Sequence, residues 1–279
     1  MMKNYKLVSF LIFIGQRIFF VRGKFKRALT TLIHNLINYD SSKDILASRV
    51  GTIVDGVPFF FYFDGMSETK QLFGSYNKKE INFLKKNTTP DSVFIDIGAN
   101  IGFYTQNIAS TFKKSNFFKI IAIEPNPILA KRIRDNISLL ESNISEISDK
   151  IIVENFAIGS EKEEIYLDLN EGYGNARIRK NKNTTAIRIN MLSLLDIVKK
   201  NKIKYITNLK IDVEGYEDRA LKPFFESASV DLFPKNIVIE YTSQNEWEDE
   251  DFINYLLDKG YEKIIKTRGN LCLSLINKN

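Results

Sequence analysis

Apolar residues recur along this chain in two periods, and the change from one to the other divides it into elements. Residues 4–48 carry helical spacing, clearest at Leu29, Leu32, Ile33, Leu36 and Ile37. β-prone runs follow at 49–54 and 57–63, flanking Asp55-Gly56, a dipeptide that suits the positive φ angles of a tight hairpin turn. Gln71 to Lys86 predicts a helix. From Ser92 the two periods alternate. Strands are expected at 92–97, 119–123, 151–155, 208–213 and 236–241, and helices at 102–112, 127–140, 192–200, 217–225 and 249–259, with last strands at 263–266 and 271–276. Continuous apolar strands such as Val93-Phe94-Ile95 and Ile237-Val238-Ile239 suit a sheet covered on both faces. Strand-helix alternation predicts an α/β fold with a doubly wound, mostly parallel sheet. Two short paired strands, 163–169 and 185–190, bracket a polar loop at 170–177. No internal repeat or long linker appears. The expected organisation is a helical and hairpin N-terminal extension over 1–69 and a main domain over 70–279.

Charge changes this picture at one end. The 279 residues are 44% hydrophobic and 27% charged, ordinary for a soluble globular protein, with a net charge of +6. Residues 1–49 hold nine Lys or Arg against Asp40 and Asp44, a net +7, so the remainder is −1. A nearly neutral main domain argues against a nucleic-acid groove across it. The basic N-terminus suits an anionic membrane surface or a polyanion. Leu7 to Gly15 is apolar after Lys3 and Lys6, but no small-residue cleavage site follows, and Arg17 leaves the run too short to span a bilayer. Two readings stand: a helix packed on the main domain, or an interfacial helix followed by the basic 22–27 segment. The single cysteine, Cys272, excludes an internal disulfide and reads as a small buried hydrophobe in a cytoplasmic protein. His34, the only histidine, sits on an apolar helical pattern far upstream and reads as a packed or surface residue rather than a base.

The candidate chemistry begins at Val93-Phe94-Ile95-Asp96-Ile97-Gly98-Ala99-Asn100-Ile101-Gly102, an apolar strand running into a glycine turn that opens a helix. Gly98 and Gly102 let the backbone approach a ligand closely. The loop lacks the Gly-x-Gly-x-x-Gly spacing of a dinucleotide site and the Gly-Lys-Ser/Thr of a phosphate loop. Asp96 suits a cationic amino group better than a pyrophosphate. Glu124 ends the next strand, where an acid accepts hydrogen bonds from two ribose hydroxyls. Asp212 and Glu214 end the fourth strand of the doubly wound sheet. Placed at i and i+2 on one strand, they would share a face and converge. Alternatively Asp212 caps the next helix and Glu214 is solvated.

Asp96 to Gly102, Glu124-Pro125, Asn155-Phe156-Ala157-Ile158-Gly159, Lys210-Ile211-Asp212-Val213-Glu214-Gly215-Tyr216-Glu217 and Ile239-Glu240 resemble the successive motifs of FkbM-family methyltransferases, over about residues 70–275. The resemblance implies a class I methyltransferase fold, S-adenosyl-L-methionine as cofactor, and O-methylation of a hydroxyl on a sugar, glycan or related metabolite. Carried over by position, Asp96, Gly98, Asn100 and Gly102 would hold the methionine part, Glu124 the ribose, and Asn155 and Ala157 the adenine side, unless Asn155 is simply a turn former. Asp212 and Glu214 become the candidate catalytic acids, aligning the acceptor and removing its proton. No metal ligand is assigned, although Asp212, Glu214 and Glu240 offer the oxygen donors that Mg²⁺ takes. Expected partners are a small-molecule or glycan acceptor, with no nucleic acid and with peripheral contact to the inner membrane face left open. Two rivals stand beside this reading: a nicotinamide-dependent oxidoreductase and a non-catalytic, membrane-associated binding module.

Overall fold

Asp55 (φ 49°) and Gly56 (φ 84°) make the turn that their sequence demands, joining β1 (Arg49–Val54) to β2 (Val57–Tyr62) as an antiparallel hairpin. The structure, a computed structural model, describes residues 5–17, 28–29, 31–33, 49–62, 69–73, 77–112, 118–169, 177–179 and 186–276. His34 and residues 170–176 of the polar loop lie outside them.

Ahead of the hairpin runs α1 (Tyr5–Arg17), and after it come α2 (Thr69–Leu72) and α3 (Lys78–Lys86). The single helix expected over 71–86 is thus two. Asn77, in left-handed backbone at φ 46°, sits where α3 begins, and asparagine is among the few residues that adopt this conformation readily.

The main sheet comprises β3 (Val93–Ile97), β4 (Lys119–Ile123), β5 (Ile151–Glu154), β10 (Asn208–Ile211), β11 (Asn236–Glu240), β12 (Tyr261–Lys266) and β13 (Asn270–Leu275), in the spatial order β12-β13-β11-β10-β3-β4-β5. Five neighbours, β11 to β5, pair in parallel, and β13 runs antiparallel to both β11 and β12. The expected α/β class and mostly parallel sheet are what the chain adopts. The continuous apolar runs have the predicted cause: one face packs under α4 (Phe103–Ala109), α5 (Pro127–Glu141), the hairpin and α1, the other under α6 (Leu194–Lys200), α7 (Glu217–Ser227) and α8 (Phe252–Asp258).

The hairpin shares the first of these two cores. Phe59 stacks on Phe103 at 5.1 Å, the Phe60 amide donates to Asn136 Oδ1 at 2.7 Å, and Tyr62 Oη donates to Asp135 Oδ2 at 2.8 Å. Burial and the adjoining Asp135 push the Tyr62 hydroxyl up to about 12, so it stays protonated and a donor.

A second sheet, ordered β6-β9-β7-β8, is built from β6 (Ala157–Gly159), β7 (Glu163–Asp168), β8 (Arg177–Arg179) and β9 (Ala186–Ser193). The pairing expected between 163–169 and 185–190 is present as antiparallel β7 and β9. β9 extends to Ser193, whose hydroxyl caps α6 by accepting from the Asp196 amide at 3.1 Å, so that helix starts two residues later than its periodicity suggests.

The chain leaves β3 towards β4 and β5 on one side, then returns to place β10 and β11 on the other. The β3–β10 boundary is therefore the topological switch point, where open α/β sheets bind ligands at strand C-termini.

Candidate functional site

Every backbone amide from 98 to 102 is already engaged. Gly98 and Ala99 both donate to Ile123 O at 3.0 Å, Asn100 to Glu124 Oε2 at 2.8 Å, Ile101 to Asn100 Oδ1 at 2.8 Å and Gly102 to Ala99 O at 2.8 Å. The start of α4 is occupied as well, because Asp96 Oδ2 accepts from the Thr105 amide at 3.1 Å and its hydroxyl at 2.7 Å. A pyrophosphate needs free amides at a helix N-terminus, and here it would meet a carboxylate instead. The loop offers acceptors, which suits a ligand bearing a cation and hydroxyls. This geometry disfavours the nicotinamide reading.

Glycine at 98 has a cause that the sequence did not show. A Cβ built there would lie 1.9 Å from the Asp212 carbonyl oxygen, and the backbone sits at φ +70°. The position is glycine because the end of β10 passes directly over it. Gly102, at φ +82°, faces Ile133 of α5 at 3.3 Å in the same sense. Both glycines serve packing of the chain on itself, whatever ligand approaches. Asn100 takes left-handed backbone at φ 55° and aims its amide at Glu124.

Glu124 joins two loops, accepting from the Asn100 amide and, at 2.9 Å, from the Asn126 amide. Burial pushes its carboxyl up to about 7, and the two amide bonds hold it from going further. A carboxylate has about four acceptor positions, so two remain for ligand hydroxyls. Asn155 donates both amide hydrogens to the backbone of the second loop, to Glu124 O at 2.7 Å and Pro125 O at 2.8 Å. Its side chain fixes that loop and keeps its oxygen as an acceptor. Ala157 is buried in β6 against Met191 of β9.

On the other side of the switch point the expectation for Asp212 and Glu214 needs correction. β10 ends at Ile211, and Glu214 lies in left-handed backbone at φ 55°, so strand alternation does not bring the two together. The carboxylates that converge are Asp212, Glu217 and Glu240, one oxygen from each lying within 4.8 Å of the others. Glu217 opens α7 and is fully buried. Its Oε1 accepts from the Val213 amide at 2.8 Å, and its Oε2 from the Trp247 indole at 2.7 Å. Glu217, not Asp212, is the acid that holds the turn before α7. Glu240 ends β11, with Oε1 bonded to the amide and hydroxyl of Thr242, while Oε2 is buried without a hydrogen-bond partner. Burial, followed by the charge of Asp212, pushes Glu240 up to about 8. Asp212 is the open member, with 31% of its side chain exposed. These three residues, with Glu217 in place of Glu214, form the oxygen set that can hold a divalent cation.

Lys210 was in the motif but received no role from the sequence. Its side chain is 4% exposed, and its ammonium donates to Gly98 O at 2.8 Å. It stands 3.7 Å from Asp96 Oδ1 and 3.8 Å from Asp212 Oδ2, directly between the two halves of the site. Asp96 is completely buried and Oδ1 has no hydrogen bond, so this ammonium is the cation that offsets it. Burial raises the Asp96 carboxyl from its ordinary value, and Lys210 opposes that shift. A lysine between Leu209 and Ile211 on a buried strand was the available sign, since such a residue is rarely buried without a carboxylate.

Among solved structures, the FkbM methyltransferase of Methylobacillus flagellatus KT is similar at 19% identity, with a TM-score of 0.47, over 68% of this chain and 44% of that protein. This chain therefore spans less than half the length of that relative. TYW2 of M. jannaschii, solved with AdoMet, is similar at 14% identity and a TM-score of 0.42 over 84% of this chain and 89% of its own. A putative rRNA methylase of Clostridium thermocellum is similar at 8% identity and a TM-score of 0.46 over 72% of this chain and 96% of its own. Comparison with curated proteins finds no match. The model of the methyltransferase FkbM domain matches residues 96–263, more than half the chain, and spans the glycine loop, Glu124, Lys210, Asp212 and Glu240. With a parallel sheet whose switch point carries those acids, this chain belongs to the FkbM family of S-adenosylmethionine-dependent methyltransferases.

Proposed function

We propose that this protein O-methylates a hydroxyl of a sugar, glycan or related small metabolite, with Asp212 as the general base. The observation that carries the reading is the convergence of Asp212, Glu217 and Glu240 beside the glycine loop. S-adenosylmethionine supplies a methyl group already activated on a sulfonium. What the chain must add is alignment and a destination for the hydroxyl proton. Glu124 would take the ribose hydroxyls through its remaining acceptor positions, and the loop at Gly98, Asn100 and Gly102 the amino-acid part, with the buried Asp96 supporting that loop from beneath through Thr105 and Lys210. Asn155 and Ala157 would line the adenine side, Asn155 by shaping the loop.

Asp212 is favoured as the base because it is the reachable member of the trio. At neutral pH Glu240, titrating at about 8, holds a proton, so the two facing acids together carry less charge than two free carboxylates would. Glu240 then offers that proton as a hydrogen bond to the acceptor oxygen. Glu217, held by Trp247 and Val213, is a positioning group. Glu214, half-buried at the same turn, would contact the acceptor without taking its proton. The main domain's near-zero net charge supports a neutral acceptor over a nucleic acid. The single cysteine is buried, consistent with the cytoplasm as the place of action.

A second reading puts Mg²⁺ among Asp212, Glu217 and Glu240, favoured by the unpartnered buried Glu240 Oε2. Incubating the protein with S-adenosylmethionine and glycan or metabolite fractions, then reading masses, tests both. We expect a gain of one methylene on a carbohydrate-containing species, absent with Asp212→Asn. Insensitivity to EDTA favours the metal-free base; loss with EDTA and return with Mg²⁺ favours the metal. Methylation only of nucleic acid overturns the acceptor class.

A further inference from the structure

Helix α1 is apolar on two opposite faces. Val8 and Ile12 are 0% and 2% exposed in the main core, and at Gly15 a Cβ would lie 2.3 Å from the Phe73 ring, so this face is seated firmly. The opposite face carries Leu7, Phe10 and Phe13, three residues apart and 45%, 57% and 50% exposed. A surface helix ordinarily turns polar side chains outward. Gln16 Nε2 donates to the Ile53 carbonyl at 3.0 Å, which ties the helix to the hairpin.

The sequence around this stripe is strongly one-sided. Lys3, Lys6, Arg17, Arg22, Lys24, Lys26 and Arg27 all precede Asp40, the first acid in the chain. We propose that the outer face of α1 docks on the surface of an anionic lipid bilayer, with Leu7, Phe10 and Phe13 entering the boundary between headgroups and acyl chains, while the net positive charge of the N-terminal sequence favours an anionic surface. The inward face keeps the helix attached to the catalytic domain, so the enzyme lies on the membrane rather than across it. Among the described residues no helix is long and apolar enough to span a bilayer.

Charge selects this occupant over the others. A second copy of the chain on the same face would bring two like-charged segments together, a juxtaposition that opposes association. A polyanion in water would satisfy the cations and leave the phenylalanines exposed. An anionic bilayer satisfies both. The proposal is independent of which residue is the base, and of the acceptor.

The test is co-sedimentation of the full chain with vesicles of phosphatidylcholine alone and of phosphatidylcholine mixed with phosphatidylglycerol. We expect binding to the mixed vesicles, weaker binding to the neutral ones, and a decline as salt is raised. Leu7→Ser with Phe10→Ser should weaken partitioning about tenfold or more while S-adenosylhomocysteine affinity stays unchanged. Should that double variant misfold, Phe10→Trp decides the matter. The one native tryptophan, Trp247, is buried, so a blue shift on adding mixed vesicles and quenching by brominated lipid report residue 10. Wild-type protein that ignores anionic vesicles, a double variant that binds equally well, or a concentration-dependent dimer that the same substitutions abolish would each overturn the proposal.

Discussion

At the ends of β3 and β4 the acids are tied to the chain that follows those strands: Asp96 to Thr105 in the first turn of α4, and Glu124 to the amides of Asn100 and Asn126. At the ends of β10 and β11 three acids crowd one another, and Lys210 is the cation that reaches the edge of the group. Glu124 and Glu240 are both raised by burial, but only for Glu240 is a neighbouring carboxylate the second cause. The difference teaches which side sets its acids chiefly against their own chain and which also sets them against one another. Under the proposed reading the first half takes the cofactor's hydroxyls, and the second, with one carboxylate raising the next, is where the proton moves.

Three experiments press on that contrast. The largest effect is expected from Asp212→Asn, which should lower turnover by about 10²–10⁴ while S-adenosylhomocysteine binds normally, because a general base acts in the transition state more than in cofactor binding. Glu214→Gln should cost less than about tenfold, since it removes a contact and keeps the base. Equal, large losses for both would restore the pairing that alternation suggested. Next, Glu124→Ala should weaken S-adenosylhomocysteine about tenfold or more in calorimetric titration, with circular dichroism unchanged, by removing charge-assisted hydrogen bonds. Unaltered affinity would mean that the cofactor half is elsewhere.

The smallest effect is on stability. A carboxyl raised from 4.5 to about 8 on folding contributes stability that is full below the unfolded value and disappears as pH rises through the folded one. Wild-type protein should therefore lose stability between about pH 5 and pH 8, and Glu240→Gln should remove on the order of 1–3 kcal/mol of that slope. Glu124, raised to about 7, leaves a residual slope in the variant. Identical melting profiles across pH for the two proteins would deny Glu240 its shift.

The half around the glycine loop was legible because its logic is local. Asp96, Gly98 and Asn100 fall within five residues, and Glu124 ends the neighbouring strand, so strand-turn-helix spacing exposes them. The half that holds the acid trio joins distant segments. Trp247 reaches Glu217 across 30 residues, and Glu240 arrives from a strand whose register with β10 no motif displays. Glu214 was paired with Asp212 because the apolar pattern runs through Val213, whereas the strand ends at Ile211 and Glu214 lies in left-handed backbone. The main-sheet strands were readable from runs of Ile and Val. The 71–86 helix was not, because hydrophobic spacing continues past Leu72, where the first helix ends, to the second helix that opens after Asn77.

The Asp212 carbonyl fills the volume that any side chain at position 98 would need. The spacing between the glycine loop and the Asp212 backbone is thereby a main-chain dimension, fixed like the gap of a caliper. Any side chain at position 98 would have to push that carbonyl aside, and with it the anchor from which the Asp212 carboxylate reaches out.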